Sequence, residues 1–430
     1  MARKMKDSGI EWIGEIPEDW KLTKVKHIGK YINGYPFKPS DWSDSGIPII
    51  RIQNLTGNNC EYNYYNGPKL SEDYLILKND YLISWSATLG VYIWHKEIGY
   101  LNQHIFKAIP NENIINYNYF YWIANIFIDE IQSYMHGSAM QHVTKGVFDN
   151  FTVPLPSKMK EQEKISDILN REVKYVDNIE SKITQQIQTL EDYKKSVITE
   201  AVTKGLDKNV EMKDSGIEWI GEIPKHWERA KIKNACSLIG SGTTPTSHNL
   251  EFYSEDGVNW IQSGDLYKTS IITTTEKRIS DRALKYYSVL KLYESPFLVM
   301  AMYGASVGNL SLSKINAATN QACCVMKPNK KTDLMFLYYW LVFVKDDLLN
   351  KAEGGSQPNI SQDKIKNEIM YFPTLCEQQS ISNYLDKKTA IIDETITSKQ
   401  KQLGILEEYK KSLIYEYVTG KKEVEDVGTI

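Results

Sequence analysis

The sequence predicts an α+β protein built twice. Two similar mixed domains are each introduced by a short signature segment and followed by one long amphipathic helix, and the two helices pack on each other. Three observations predict this. The dodecamer KDSGIEWIGEIP occurs at Lys6–Pro17 and again, unchanged, at Lys213–Pro224, an offset of 207 residues. EQEKISDIL from Glu161 matches EQQSISNYL from Glu377, and LEDYKKSVITEAVTKG from Leu190 matches LEEYKKSLIYEYVTGK from Leu406, both at an offset of 216. Between the matched segments lie two longer stretches that share only sparse marks. An internal repeat on this scale sets the architecture before any single element is assigned.

The signature comes first in each half, and each copy runs on to a tryptophan, Trp20 or Trp227. The variable regions follow. GIPIIRIQNL from Gly46 and GVNWIQSGDL from Gly257 read as strands ending at polar turns. NYFYWIANIFIDEIQSYMHG from Asn118 and DLMFLYYWLVFVKDDLLNKAEGG from Asp333 read as buried helices closed by glycine. SATLG at Ser86 lies over GASVG at Gly304, and NQHIFK at Asn102 over NQACCV at Asn320, both at an offset of 218. GSAMQHVT at Gly137 lies over GGSQPNIS at Gly354 at an offset of 217. The offsets drift by a residue or two while most other side chains differ, the trace of one backbone fold carrying two surfaces.

The long helices close each half. After Pro154 and Pro156, which bar a helix across the entry, apolar residues fall at Ile165, Leu169, Val173, Val176, Ile179, Ile183, Ile187, Leu190, Tyr193, Val197 and Ala201. Ten steps cover 36 residues, the α-helical period. The second copy, after Pro373, runs through Ile381, Leu385, Ile392, Ile396, Leu403, Leu406, Leu413 and Tyr417, with Gly404 as its weak point. Each is about 40 residues and roughly 60 Å long at 1.5 Å per residue. Neither buries its stripe alone, so the two are expected to pair. The chain therefore divides into a signature (1–19), a first variable domain (20–155), a central helical spacer (156–212), a repeated signature (213–226), a second variable domain (227–373), a C-terminal helical spacer (374–424) and a tail (425–430).

Composition narrows the class. The chain has 430 residues, 42% hydrophobic and 24% charged, which is ordinary for a soluble globular protein, with no membrane-spanning apolar run and no apolar leader at the N-terminus. Five scattered cysteines imply reduced thiols in or near cores and a cytoplasmic location, with no metal-ligand spacing. Residues 20–153 carry no net charge and residues 227–371 carry +3; the remainder carries −6, giving −3 overall. A stand-alone DNA binder is normally far more basic, so any DNA affinity requires partners that supply phosphate contacts. No Walker loop, dinucleotide fingerprint, GxSxG, HExxH or Asn-Pro-Pro-aromatic tetrapeptide is present, and the seven histidines lie apart. Carboxylate–x–Lys triplets such as Glu408-Tyr409-Lys410 are placed on an exposed helix side. The expected protein has no catalytic residue, no metal site and no bound cofactor.

Tandem variable domains, each preceded by SGIEWIGEIPxxW and followed by an EQ-initiated helix ending in [DE]YKKS, resemble the specificity subunit of Type I restriction–modification systems. The resemblance covers essentially the whole chain. It implies that each variable domain is a target recognition domain for half of a bipartite asymmetric DNA sequence. It also implies that the helices form an antiparallel coiled coil spacing the half-sites, in a pseudo-two-fold molecule. Two modification subunits that methylate adenine and carry S-adenosylmethionine would dock on it. Restriction subunits that use ATP and Mg would join that core. A specificity factor of a methylation-only or phage-defence complex, or a non-DNA scaffold holding two identical partners, is the alternative.

A pseudo-two-fold molecule offers the same surface twice to identical partners. Trp12, Ile13, Ile16 and Trp20, with Trp219, Ile220, Ile223 and Trp227, are either braces of the helix ends or direct partner contacts. Base edges are read by polar and basic side chains. The candidates in the polar loops are Gln141, His142, Thr144 and Lys145, then Gln357, Asn359, Ser361 and Gln362. Gln53, Asn54, Gln262 and Asp265 at the expected strand ends complete the set.

Overall fold

The computed structural model describes residues 3–57, 61–86, 88–136, 144–352 and 359–424. It contains two compact units, Met1–Thr184 with Lys401–Ile430, and Gln185–Gln400. Each unit takes in part of both long helices, which a linear division of the chain does not anticipate.

In the first unit the signature is a hairpin, Met5–Asp7 paired antiparallel with Glu15–Pro17. The strand after Trp20, Lys21–Lys24, pairs antiparallel with Thr152–Leu155, so the first and last strands of the variable domain lie side by side. Pro154 is tolerated in this short two-stranded ribbon because it has no further neighbour to hydrogen-bond. Between them lies an antiparallel sheet in the order Gly29–Asn33, Ile105–Pro110, Tyr81–Ser84, Gly90–Ile93. The helix Tyr117–His136 covers it, burying Tyr119, Phe120, Ile123 and Phe127 among Tyr81, Ile83, Phe106 and Ala108. A second sheet runs Asn63–Tyr65, Ile47–Ile50, Gly99–Leu101, Leu75–Ile76, and its central pair is parallel, with Leu101 opposite Ile50.

The second unit repeats this plan. Its hairpin is Met212–Asp214 with Glu222–Pro224, and Glu228–Lys231 pairs with Ile369–Phe372. The main sheet runs Cys236–Gly240, Cys323–Pro328, Phe297–Ala301, Leu310–Ser313, Ile271–Ile272. The smaller sheet, Arg278–Ile279, Tyr253–Ile261, Ala318–Thr319, again holds a parallel pair, with Thr319 opposite Ile261. The expected single helix after Asp333 is two, Leu334–Phe343 and Lys345–Asn350, meeting at Val344. Both expected strands end sooner than the apolar pattern implies. Residues Ile52–Leu55 and Asp265–Lys268 form helical turns instead, because Asn54 and Asp265 turn back to cap the chain. The glycines expected to close the domain helices, Gly137, Gly354 and Gly355, lie outside the described residues.

The long helices are Met159–Lys204 and Leu375–Val418, the second running unbroken through Gly404. They pair through polar contacts beside a narrow apolar seam. In the second unit the Lys194 ammonium sits 2.7 Å from Asp393, and Lys399 donates to Gln186 at 2.6 Å. Numbering falls on one helix as it rises on the other, so the pair is antiparallel. In the first unit Lys410 donates to Asp177 at 2.9 Å and to Glu180 at 2.7 Å. Lys410 therefore does not lie on the exposed side of its helix, as its triplet had implied. Tyr193 also departs from the stripe: it is 51% exposed, and Lys194 takes the inward position.

Each core is completed by the start of one long helix and the end of the other. Ile13, Ile16 and Trp20 pack with Ile165, Leu169, Leu413, Tyr417 and Val418. Ile220, Ile223 and Trp227 pack with Ile381, Leu385, Val197, Ile198, Ala201 and Val202. The adjacent Cys323 and Cys324 point to opposite faces of their strand and enter different clusters. Cys376 departs from the expectation of core thiols, since it is exposed on the first turn of its helix, and Cys60 lies outside the described residues.

Candidate nucleic-acid interface

The repeated residues build a rigid frame in both units. Trp20 Nε1 donates to Glu161 Oε1 at 3.1 Å, and Trp227 Nε1 donates to Glu377 Oε1 at 3.0 Å. The next residue along each helix seals the domain. Gln162 accepts from Asn116 N at 2.7 Å and donates to the Ile114 and Pro156 carbonyls. Gln378 accepts from Asp333 N at 2.8 Å and donates to the Lys331 and Pro373 carbonyls. Both glutamines are 1% exposed, so these bonds replace water that is not there. The hairpins match too: Lys6 donates to the Trp20 carbonyl and Lys213 to the Trp227 carbonyl, each at 2.7 Å.

A polar edge stands at the far end of the parallel strand pairs. Asn102 N donates to the Ile50 carbonyl at 3.0 Å, and Asn320 N to the Ile261 carbonyl at 3.0 Å. The two Asn-Gln turns thereby lie beside Arg51–Asn54 in one unit and Gln262–Asp265 in the other. A glycine passes over each turn: a Cβ on Gly34 would lie 2.2 Å from the Asn102 carbonyl oxygen, and one on Gly242 would lie 1.8 Å from that of Thr319. Only glycine permits so close a crossing. In the second unit Met302 N donates to the Ala322 carbonyl, Ile360 N donates to the Met302 carbonyl, and Tyr303 bridges to Asn359. These bonds carry the polar edge on to the segment 359–362.

The residues proposed from sequence fall into distinct roles at this edge. Thr144 and Ser361 cap matching short helices, Lys145–Asn150 and Gln362–Asn367, accepting from Val147 N and Lys364 N. Lys145 is exposed, with its ammonium 5.4 Å from the Phe106 ring centroid and 3.5 Å from Asp149. Asn359 is exposed; Gln362 accepts from Lys366 at 2.9 Å, and its Nε2 is buried without a hydrogen-bond partner. Burial pushes the Cys324 thiol up to about 12, so it stays protonated at neutral pH. Gln53 is exposed on its helical turn. Asn54 accepts from Arg51 N at 2.9 Å. Asp265 is buried, accepting from Gln262 N at 2.8 Å and Glu276 N at 3.5 Å, which leaves its oxygens committed to backbone. Gln141, His142 and Gln357 lie outside the described residues. In the signatures, Ile13, Ile16, Trp20, Ile220, Ile223 and Trp227 are all buried. Trp12 is half-buried and Trp219 is 45% exposed.

A family model described as the Type I restriction modification DNA specificity domain matches residues 17–189 and 224–404. The chain belongs to this family. Two specificity subunits show the extent of the likeness. The Type I restriction enzyme MjaVIII specificity subunit of Methanocaldococcus jannaschii is 24% identical over 438 residues, covering 96% of this chain and 95% of its own. The EcoBI specificity subunit of Escherichia coli is 22% identical over 410 residues, covering 91% and 84%. The fold is that of a chain from a structure described as the basis of complex assembly and conformational transition of the type I R-M system. The TM-score is 0.71 at 14% identity, covering 95% of this chain and 99% of that one.

The Asn-Gln turns, Arg51 and Trp42 also lie at this edge, outside the candidates that the sequence offers. The signal for the turns was present, since Asn102-Gln103 and Asn320-Gln321 are a rare identity inside the divergent regions. Gln103 Oε1 is buried without a hydrogen-bond partner, whereas Gln321 Oε1 accepts from Thr244. Among the described residues no group of three or more His, Cys, Asp or Glu side chains is placed to hold a metal ion, and no helix is long and apolar enough to cross a membrane.

Proposed function

We propose that this chain is the DNA sequence-recognition subunit of a Type I restriction–modification complex, with each unit reading one half of a bipartite, asymmetric target. The observation that carries this reading is the contrast between a frame whose tryptophan, glutamine and lysine hydrogen bonds repeat in both units and a polar edge at which most side chains differ. Two adenine methyltransferase subunits dock, one on each signature and helix end, and bring S-adenosylmethionine. Restriction subunits bring ATP and Mg to that core. The chain itself makes and breaks no bond, and it works in the cytoplasm, where double-stranded DNA is available. Because its recognition domains carry so little positive charge, the docked subunits supply most of the phosphate contacts.

The test is to co-express the chain with its modification subunits in a host lacking other adenine methyltransferases and to map methylated adenines by single-molecule sequencing. A motif of two unlike half-sites separated by a spacer of unspecified bases is expected. A continuous or palindromic motif would overturn the reading, as would methylation that persists without the chain.

A further inference from the structure

Residues 51 and 262 occupy the same place in the two units. Each directly follows the parallel strand, after Ile50 and Ile261. Each has its backbone N–H capped by the side chain three residues on, Asn54 Oδ1 at 2.9 Å and Asp265 Oδ2 at 2.8 Å. Each lies next to the residue whose carbonyl accepts from the Asn-Gln turn at 3.0 Å. The backbone N–H is thus held alike in both units, although the helical turn begins at Ile52 in one and at Asp265 in the other, and the side chain changes from arginine to glutamine.

Neither side chain makes a hydrogen bond to a described residue. Arg51 is the single arginine between residues 20 and 155. Its guanidinium carbon stacks 5.2 Å from the centroid of Trp42, itself 40% exposed, and its Nε is buried without a hydrogen-bond partner. Stacking on an indole flattens and orients the fork while leaving its donors free. Two arginines of the second domain are occupied differently: Arg278 donates to the Glu255 carbonyl and Arg282 pairs with Glu251. The half-buried Gln262 side chain makes no hydrogen bond to a described residue; its backbone alone is engaged, the N–H donating to Asp265 Oδ2 at 2.8 Å and the carbonyl accepting from Asp265 N at 3.0 Å.

We propose that positions 51 and 262 are the equivalent reading heads of the two recognition domains, Arg51 for a guanine of the first half-site and Gln262 for an adenine of the second. The inference rests on the DNA-reading function above and adds which side chain reads which base. An arginine fork matches the O6 and N7 acceptors of guanine, and a glutamine amide matches N6 and N7 of adenine. The Asn-Gln turns and the capped backbone then serve both domains as a constant mount.

The test uses the chain assembled with its modification subunits. Duplexes carrying the mapped motif are made with 7-deazaguanine or 7-deazaadenine at one position at a time, which deletes only the N7 acceptor. Wild type should lose about tenfold to hundredfold in affinity at one guanine of the first half-site and at one adenine of the second. In Arg51→Ala the loss at that guanine should vanish while sensitivity in the second half-site stays. Methylation mapping of Arg51→Gln should replace G by A at that same position. If no guanine in the half-site read by the first domain responds to the deaza substitution, or Arg51→Gln keeps the original motif, the proposal is wrong while the bipartite motif stands. If no motif exists at all, the underlying function fails instead. The duplex scan on wild type needs no variant to fold.

Discussion

Trp12 lies half-buried on Phe151, ring centroids 5.6 Å apart, and its carbonyl accepts from the Tyr415 hydroxyl at 2.8 Å. Trp219, the same residue of the same dodecamer, is 45% exposed and touches Phe343 at 5.1 Å. The difference comes from the neighbours: the positions that correspond to Phe151 and Tyr415 are Glu368 and Thr199. Trp20 and Trp227, by contrast, keep the same carboxylate partner to within 0.1 Å, from 3.1 to 3.0 Å. Identical sequence dictates the hairpin and the buried tryptophan. What covers the outer tryptophan is decided by each unit, so one exposed indole is left available to a partner in the second unit alone.

The largest effects should come from the shared frame. Trp20→Ala and Trp227→Ala each remove a ring that is 1% exposed, at a cost of about 3–5 kcal/mol to the unit that holds it. Calorimetry with each variant should show similar drops; a Trp227→Ala cost under half that of Trp20→Ala would break the equivalence. Gln162→Ala and Gln378→Ala come next, at about 1–3 kcal/mol, because each strands a buried backbone N–H and two carbonyls. Trp12→Ala should destabilise by about 2 kcal/mol, and Trp219→Ala by less than about 0.5 kcal/mol. Trp219→Ala should instead weaken co-purification with the modification subunit, and unchanged assembly would remove the partner role.

A further small effect concerns the helix pair. Burial opposes the Lys410 charge, but its hydrogen bonds to Glu180 and Asp177 outweigh that and hold the group above the ordinary lysine value of 10.5. Its contribution is therefore present below that value and is lost as pH rises through the raised one. Lys410→Met should lower stability by about 1 kcal/mol or less at pH 7. Denaturant midpoints of wild type and variant should converge well above pH 10.5; a constant gap would show that the lysine acts through its aliphatic stem.

The repeat, the two long helices and the placement of the variable regions between matched segments were legible because identities and a helical period survive in one dimension. Of the two proposed reading heads, Gln262 stands among the strand-end candidates and Arg51 does not. The neighbouring candidates Asn54 and Asp265 are polar and near a strand end too, but their side chains turn inward to cap residues 51 and 262. Thr144 and Ser361 are polar-loop candidates by composition, but each hydroxyl caps a short helix, and a hydroxyl residue before a short helix is an N-cap signal. The helical period alone puts Tyr193 in the seam, whereas the Lys194–Asp393 pair holds the inward position there. In each case a local polar contact, invisible to spacing, decides where a side chain points.

The central claim is that a constant frame carries two independent faces. Replacing residues 227–371 with the matching region of a family member that reads another target tests it most directly, with methylated adenines mapped in cells expressing the chimera and the modification subunits. One half-site should change to that of the donor while the other half-site stays as in wild type. A change in both half-sites, or in neither, would contradict the account.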